Sequence, residues 1–173
     1  MFYVATDAAD TNVTDDEAKQ IKIQYLELIT KGTDKNGRKI NMEVSDKAKT
    51  YKRIKEMLKE AKKSESFLDY AEANTDSSTS EATIGKDTKL LDKEAIDAAF
   101  SLKKGKMSNV IGGKTGYYII YCVNDNDEDA TYARKEEIIN ERQTKMFKEK
   151  YAEWLSESKV DISNKFWDVF TIS

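Results

Sequence analysis

The chain has no histidine and no proline among its 173 residues, and only one cysteine. Without histidine it can hold no histidine-dependent catalytic triad, no histidine metal site and no imidazole proton shuttle. The lone Cys122 excludes an intrachain disulfide framework. It sits inside a strand-like run, where it reads as a small buried hydrophobe and not as a nucleophile. The missing proline removes cis-proline as a slow step in the chain's own folding. No run approaches the roughly 20 apolar residues of a membrane helix. No phosphate-cradling glycine loop joins a strand to a helix, so neither a metal nor a nucleotide cofactor is expected. With 35% charged residues and a formal net charge of -3, the surface is mixed in sign and gives no general reason to expect nucleic acid as a partner.

What is present is ordered. "TDDE" at Thr14–Glu17 is a capping box that admits a turn or two of helix before the strand-like "IKIQYLELIT". Alternation puts Ile21, Ile23 and Tyr25 on one face of that strand, with Gln24, Leu26 and Leu28 on the other. Asp34 to Gly37 is a turn signal, after which "KINMEV" is expected to pair back on the first strand as an extended arm. From Ser45, Ala48, Tyr51, Ile54, Met57, Leu58 and Ala61 recur at helical spacing. The other face of that helix is basic, with seven lysines and one arginine against three acids between Ser45 and Lys63. A shorter helix follows through Phe67, Tyr70 and Ala71, and then "NTDSSTSEATIGKDT" reads as a loop. Asp92 can cap a third helix ending near Gly105. A short strand at residues 107–111 and a glycine turn lead into "GYYIIYCV", whose two covered faces predict a central strand. Tyr118, Ile120 and Cys122 share one face, and Tyr117, Ile119 and Tyr121 share the other. The fold class is α+β, a small, mainly antiparallel sheet surrounded by helices, with a long C-terminal helical extension.

From Asp129 an apolar stripe through Ile138, Phe147, Tyr151, Trp154 and Leu155 marks a charged helix about 42 Å long at 1.5 Å per residue. "VDISNKFWDVF" adds a dense apolar tail. Three segments are expected: a leader over 1–20, a domain over 21–125, and the helix with its tail over 126–173. The stripe and tail predict burial against a second copy in a symmetric homodimer, the alternative being a monomer with the tail folded back.

These ordered pieces resemble the parvulin (PpiC-type) family of peptidyl-prolyl cis-trans isomerases. "AIDAAFSLKKGKMSNVIGGKTGYYIIYCVND" is similar to the family's alanine-phenylalanine-leucine helix, glycine turn and last strand in the same order and spacing, and "FLDYAEANTD" resembles its helix and serine-aspartate turn. The resemblance implies a foldase or chaperone that acts outside the cytoplasm on unfolded or proline-containing polypeptides. Its membrane attachment, if any, would be an N-terminal lipid anchor outside these residues. The family's two histidines fall on Tyr25 and Tyr118. Its acidic or thiol position falls on Asp76 or Ser77, and its apolar wall on Leu91 and Phe100, while the aromatic five residues before Phe100 becomes Ala95. By resemblance, then, Tyr25, Asp76 and Tyr118 are candidate catalytic residues, and Ser77, Leu91 and Phe100 candidate substrate contacts. Prolyl rotation breaks no covalent bond and needs no general base, so the histidine losses leave two functions open: an isomerase of low activity, or a non-enzymatic chaperone on the same fold.

Overall fold

The computed structural model describes residues 11–157. They belong to two compact units: one runs Val13–Lys135, and the other combines the chain on either side of it.

In the first unit, a single helical turn, α1 (Asp15–Ala18), is capped by the Thr14 hydroxyl, which accepts from the Glu17 N–H at 3.2 Å. Strand β1 (Gln20–Ile29) then crosses the middle of a four-stranded sheet ordered β4-β1-β6-β5, formed with β4 (Glu81–Gly85), β5 (Ile111–Gly112) and β6 (Gly116–Asn124). All three pairings are antiparallel, with Tyr25 opposite Ile120 and Glu27 opposite Tyr118. β6 is central, as its two covered faces require.

Each face of the sheet has its own core. On one side Ile21, Ile23, Tyr25, Ile84, Tyr118 and Ile120 pack with α4 (Lys93–Ser101), which contributes Ala95, Ile96 and Ala99. On the other, Leu26, Leu28 and Ile119 meet α2 (Val44–Ala61) through Ile54, Met57 and Ala61, and α3 (Phe67–Asn74) through Phe67 and Ala71. The spacings of three and four in α2 put these residues on one stripe. The N-terminal end of that stripe is less buried than its periodicity predicts. Ala48 is exposed, and Tyr51, 42% exposed, lies over the Tyr117 ring with centroids 5.3 Å apart.

Three expectations need correction. "KINMEV" does not pair with β1, whose two edges are already taken by β4 and β6. Its β3 (Lys39–Asn41) pairs with β2 (Lys31–Thr33) in a separate hairpin. The turn of that hairpin is held by Asp34, whose carboxylate accepts from the Asn36 and Arg38 N–H groups at 3.1 and 2.8 Å. Second, the polar stretch after α3 is not all loop, because Glu81–Gly85 forms the edge strand β4. Third, the strand expected at 107–111 shrinks to a single bridge, Met107 to Tyr121, and the two residues of β5.

The described helix beyond this unit is α5 (Glu128–Glu157), 30 residues long and beginning in the first unit. Tyr151 and Leu155 on it are 54% and 63% exposed. The tail from 158 onward lies outside the described residues.

Candidate functional site

Thr75 begins the site. Its buried hydroxyl accepts from the Glu27 N–H at 3.0 Å and lies 3.2 Å from the Glu27 carbonyl, so the chain leaving α3 is fastened to β1. Asp76 continues the attachment: its N–H donates to the Glu27 carbonyl, and its carboxylate accepts from the Ile29 N–H at 3.0 Å. This tether lays Asp76, Ser77 and Ser78 along one wall of a cleft of about 570 Å³. The opposite side is formed by Lys31 to Lys35 and Gly37 of the hairpin, and Glu27, Ile29 and Thr115 complete the lining.

Tyr25 and Tyr118 lie beneath the cleft, 0% and 1% exposed. Both rings belong to the α4 core, while their hydroxyls reach toward residues that line or flank the cleft. The Tyr25 hydroxyl shares hydrogen bonds with Thr79 at 2.7 Å and Ser77 at 3.3 Å. The Tyr118 hydroxyl donates to Asp92 Oδ2 at 3.0 Å and lies 2.9 Å from the Thr115 hydroxyl. Asp92 occupies the N-cap position of α4, yet its side chain makes no cap hydrogen bond. Instead its Oδ2 accepts from both the N–H and the hydroxyl of Thr115, at 2.7 and 2.9 Å. The Thr115 carbonyl in turn accepts from the Thr30 and Lys31 N–H groups at 2.8 and 2.9 Å, which carries the network to the cleft rim.

Glu27 brings a carboxyl group into this polar floor. Burial pushes its pKa above the ordinary value of 4.5; a hydrogen bond from Tyr118 opposes the shift, and the nearby Asp92 and Asp76 charges add to it. Tyr118 is pushed far up, first by burial, against a lowering hydrogen bond from Thr115, and further by the Glu27 and Asp92 charges. The phenol therefore stays protonated and acts as a donor throughout the physiological range.

The structure brings Tyr25, Asp76, Ser77 and Tyr118 together at this cleft. Leu91 and Phe100 lie apart from it: Leu91 is 7% exposed within the α4 core, and Phe100 is partly buried against that core with Lys86 over its ring. Three participants escaped the sequence reading. Glu27 carried a signal, because period-two alternation puts a charge on the same face as Ile21, Ile23 and Tyr25. Asp92 was legible only as a helix cap, and Thr115 as part of a glycine turn.

Comparison with known proteins shows the family. The family model for the rotamase or PPIC-type PPIase domain matches residues 31–124, just over half of the chain. The chain belongs to the PPIC-type peptidyl-prolyl isomerase family. Asp76, Ser77, Leu91, Phe100 and Tyr118 fall inside the matched residues, and Tyr25 and Glu27 precede them. Among solved structures, the chain resembles a PpiC-type peptidyl-prolyl cis-trans isomerase domain, with 16% identity over 65% of this chain and 97% of that one, and a TM-score of 0.51. Peptidyl-prolyl isomerase ESS1 from Candida albicans matches at 18% identity over 65% of this chain and 66% of that one, with a TM-score of 0.53. PrsA from Bacillus subtilis is 19% identical over 99% of this chain at a TM-score of 0.45, and the chain spans 66% of its length. At these identities the likeness concerns the fold. Curated proteins gave no match.

Proposed function

We propose that this chain is the parvulin-like domain of an extracytoplasmic foldase, which holds unfolded polypeptide in the Asp76–Thr115 cleft and turns prolyl peptide bonds slowly. The observation that carries this reading is the floor of the cleft, where hydroxyls of Ser77 and Thr115 are held from below by Tyr25 and by Tyr118 with Asp92. Rotation about an X-Pro bond is opposed by amide resonance, and the planar amide carries partial negative charge on its oxygen. The carboxylates of Asp76 and Glu27 disfavour that charge, while the Ser77 hydroxyl, whose proton is not committed to Asp92 as that of Thr115 is, can donate to the nitrogen lone pair that twisting frees. A site that binds the twisted amide better than the planar one accelerates rotation, by tenfold for each 1.36 kcal/mol of preference. Tyr25 and Tyr118 then act by holding Ser77 and Thr115, and Asp76 by fixing the wall.

A second reading has its own observation. Ala95 is wholly buried and Leu91 nearly so, which leaves the cleft without the apolar wall that would grip a prolyl ring. On that reading the domain is a chaperone that binds chains without turning the bond. NMR exchange spectroscopy on X-Pro peptides separates the two: cis/trans exchange accelerated by catalytic amounts of protein supports the isomerase. Exchange at the buffer rate, at protein concentrations that saturate the peptide, overturns it in favour of the chaperone.

We place this function in residues 21–125, with 1–20 as leader and 126–173 as a dimerising helix and tail. The exposed Tyr151 and Leu155 support a second copy as the helix's partner. Light scattering across a concentration series should show a mass above 19.8 kDa that falls on dilution, and 19.8 kDa at every concentration would refute the dimer. Membrane attachment in this scheme comes only from an N-terminal lipid anchor upstream of these residues.

A further inference from the structure

On the face of the sheet opposite the cleft, α2 and the segment leading into β5 enclose a groove of about 270 Å³ lined by Tyr51, Leu58 and Val110, with Lys55, Lys59 and Lys62 along it and Asn109 at its end. We propose that this groove is a second polypeptide-binding surface, which takes an acidic segment by seating one of its apolar side chains between Leu58 and Val110.

Three observations carry the assignment. First, residues 51, 55, 58 and 59 form one stripe of α2, which Lys62 at its C-cap continues, so the apolar floor and the cations face the same ligand. Second, none of Lys55, Lys59 and Lys62 forms an ion pair among the described residues, although other lysines do so: Lys49 bridges Asp46, and Lys93 bridges Asp97. Two of the helix's three acids are engaged away from the groove lysines, Asp46 with Lys49 and Glu60 with the Tyr70 hydroxyl at 2.7 Å, and the third, Glu56, forms no ion pair among the described residues. Lys55 instead lies over the Tyr51 ring, 5.4 Å from its centroid. Third, Asn109 and Val110 lead into β5, the last strand of the sheet, whose outer edge pairs with no other strand among the described residues. An extended chain can lie along such an edge, and its alternate side chains would then enter the groove.

Charge complementarity selects an acidic ligand, and the apolar floor selects one that carries a hydrophobic side chain. A half-buried Leu58 and Val110 offer nothing specific to a bare polyanion. The proposal does not depend on prolyl isomerisation, because the ligand requires no proline.

The test is titration of the isotope-labelled full chain with a peptide of glutamates flanking a single leucine, followed by NMR and fluorescence anisotropy. Amide shifts should centre on Tyr51, Leu58 and Val110 and spare Ser77 and Thr115. Changing Lys55, Lys59 and Lys62 together to Gln should weaken binding by about tenfold at low salt, because three exposed ion pairs are each of modest worth. Rising salt should weaken it further. Replacing the peptide's leucine by serine should also lower affinity, and a lysine-for-glutamate peptide should not bind. Shifts confined to the cleft, equal binding of the basic peptide, or an unchanged affinity in the triple variant would each overturn the proposal. So would binding of phosphatidylglycerol vesicles or inorganic polyphosphate with no response to the peptide. The substituted lysines are exposed, and an unchanged thermal transition in the triple variant separates lost binding from lost fold.

Discussion

Replacing Asp92 by alanine should destabilise the chain far more than its position at the start of a helix suggests. One carboxylate oxygen there accepts three donors: the N–H of Thr115, the hydroxyl of Thr115 and the hydroxyl of Tyr118. Hydrogen bonds to a charged acceptor contribute about 1.5–3 kcal/mol each, and three donors sharing one oxygen contribute less than their sum. Tyr118 keeps Thr115 as a partner after the change, which limits the loss further. The expected cost is therefore roughly 3 kcal/mol, or about 6–12 °C of thermal midpoint for a chain of this length. Urea denaturation followed by circular dichroism gives the first value, and a thermal scan gives the second. Two comparisons make the reasoning refutable. Asp97→Ala on the same helix removes only an exposed pair with Lys93 and should cost less than about 0.5 kcal/mol. Asp92→Ser supplies one of the best helix caps but cannot span the distance to Thr115 and Tyr118, so it should be about as unstable as Asp92→Ala. If serine restores stability, Asp92 acts as a cap after all, and the network account is wrong.

Glu27→Gln should be more stable than the parent at about pH 7 and equal to it near pH 3. The folded chain holds the Glu27 proton more tightly than the unfolded chain, so stability is fully present below the ordinary value of 4.5 and is lost as pH rises through the raised one. Denaturation midpoints across that range should converge at low pH, and a gap that widens on acidification would contradict the sign. Tyr118→Phe removes the donor shared by Asp92 and Glu27 and should cost about 1–2 kcal/mol in urea denaturation, with an unchanged midpoint arguing against the network. Gly113→Ala should be harmful and Gly112→Ala mild. A methyl at 113 would meet the Asp92 carboxylate and, at 2.8 Å, the Tyr118 ring, whereas at 112 the nearest atom is Tyr117 Cε1 at 3.6 Å. The expected penalty at 113 is about 1–3 kcal/mol, and equal midpoints for the two variants would refute the close approach.

The sequence made the central parts of the fold legible because they are strongly periodic. Alternation in β1 and β6 separates two apolar sets, and each set finds its own core. β4 was hidden because only Ala82 and Ile84 of its five residues face inward, too few to outweigh the polar run around them. The hairpin was assigned the wrong partner for a different reason. Local alternation says that Lys39–Asn41 is extended, but which neighbour it pairs with depends on strands that arrive later in the chain. The candidate site was legible through its aromatic and turn residues. Its acids were not, because Asp92 looks like a cap in sequence and becomes a shared acceptor only when the turn before β6 folds against it. Leu91 and Phe100 show the converse: their apolar character predicts burial equally well whether they line a groove or fill a core.

The central claim is that polypeptide enters the cleft over the tyrosine-supported floor. An isotope-labelled full chain titrated with an unstructured, uncharged peptide containing a single proline tests it most directly. The account predicts amide shifts at Lys31, Asp76, Ser77, Ser78 and Thr115, with weaker binding in Thr115→Val. Saturable shifts that leave these five residues unmoved, or binding that Thr115→Val leaves intact, would contradict it.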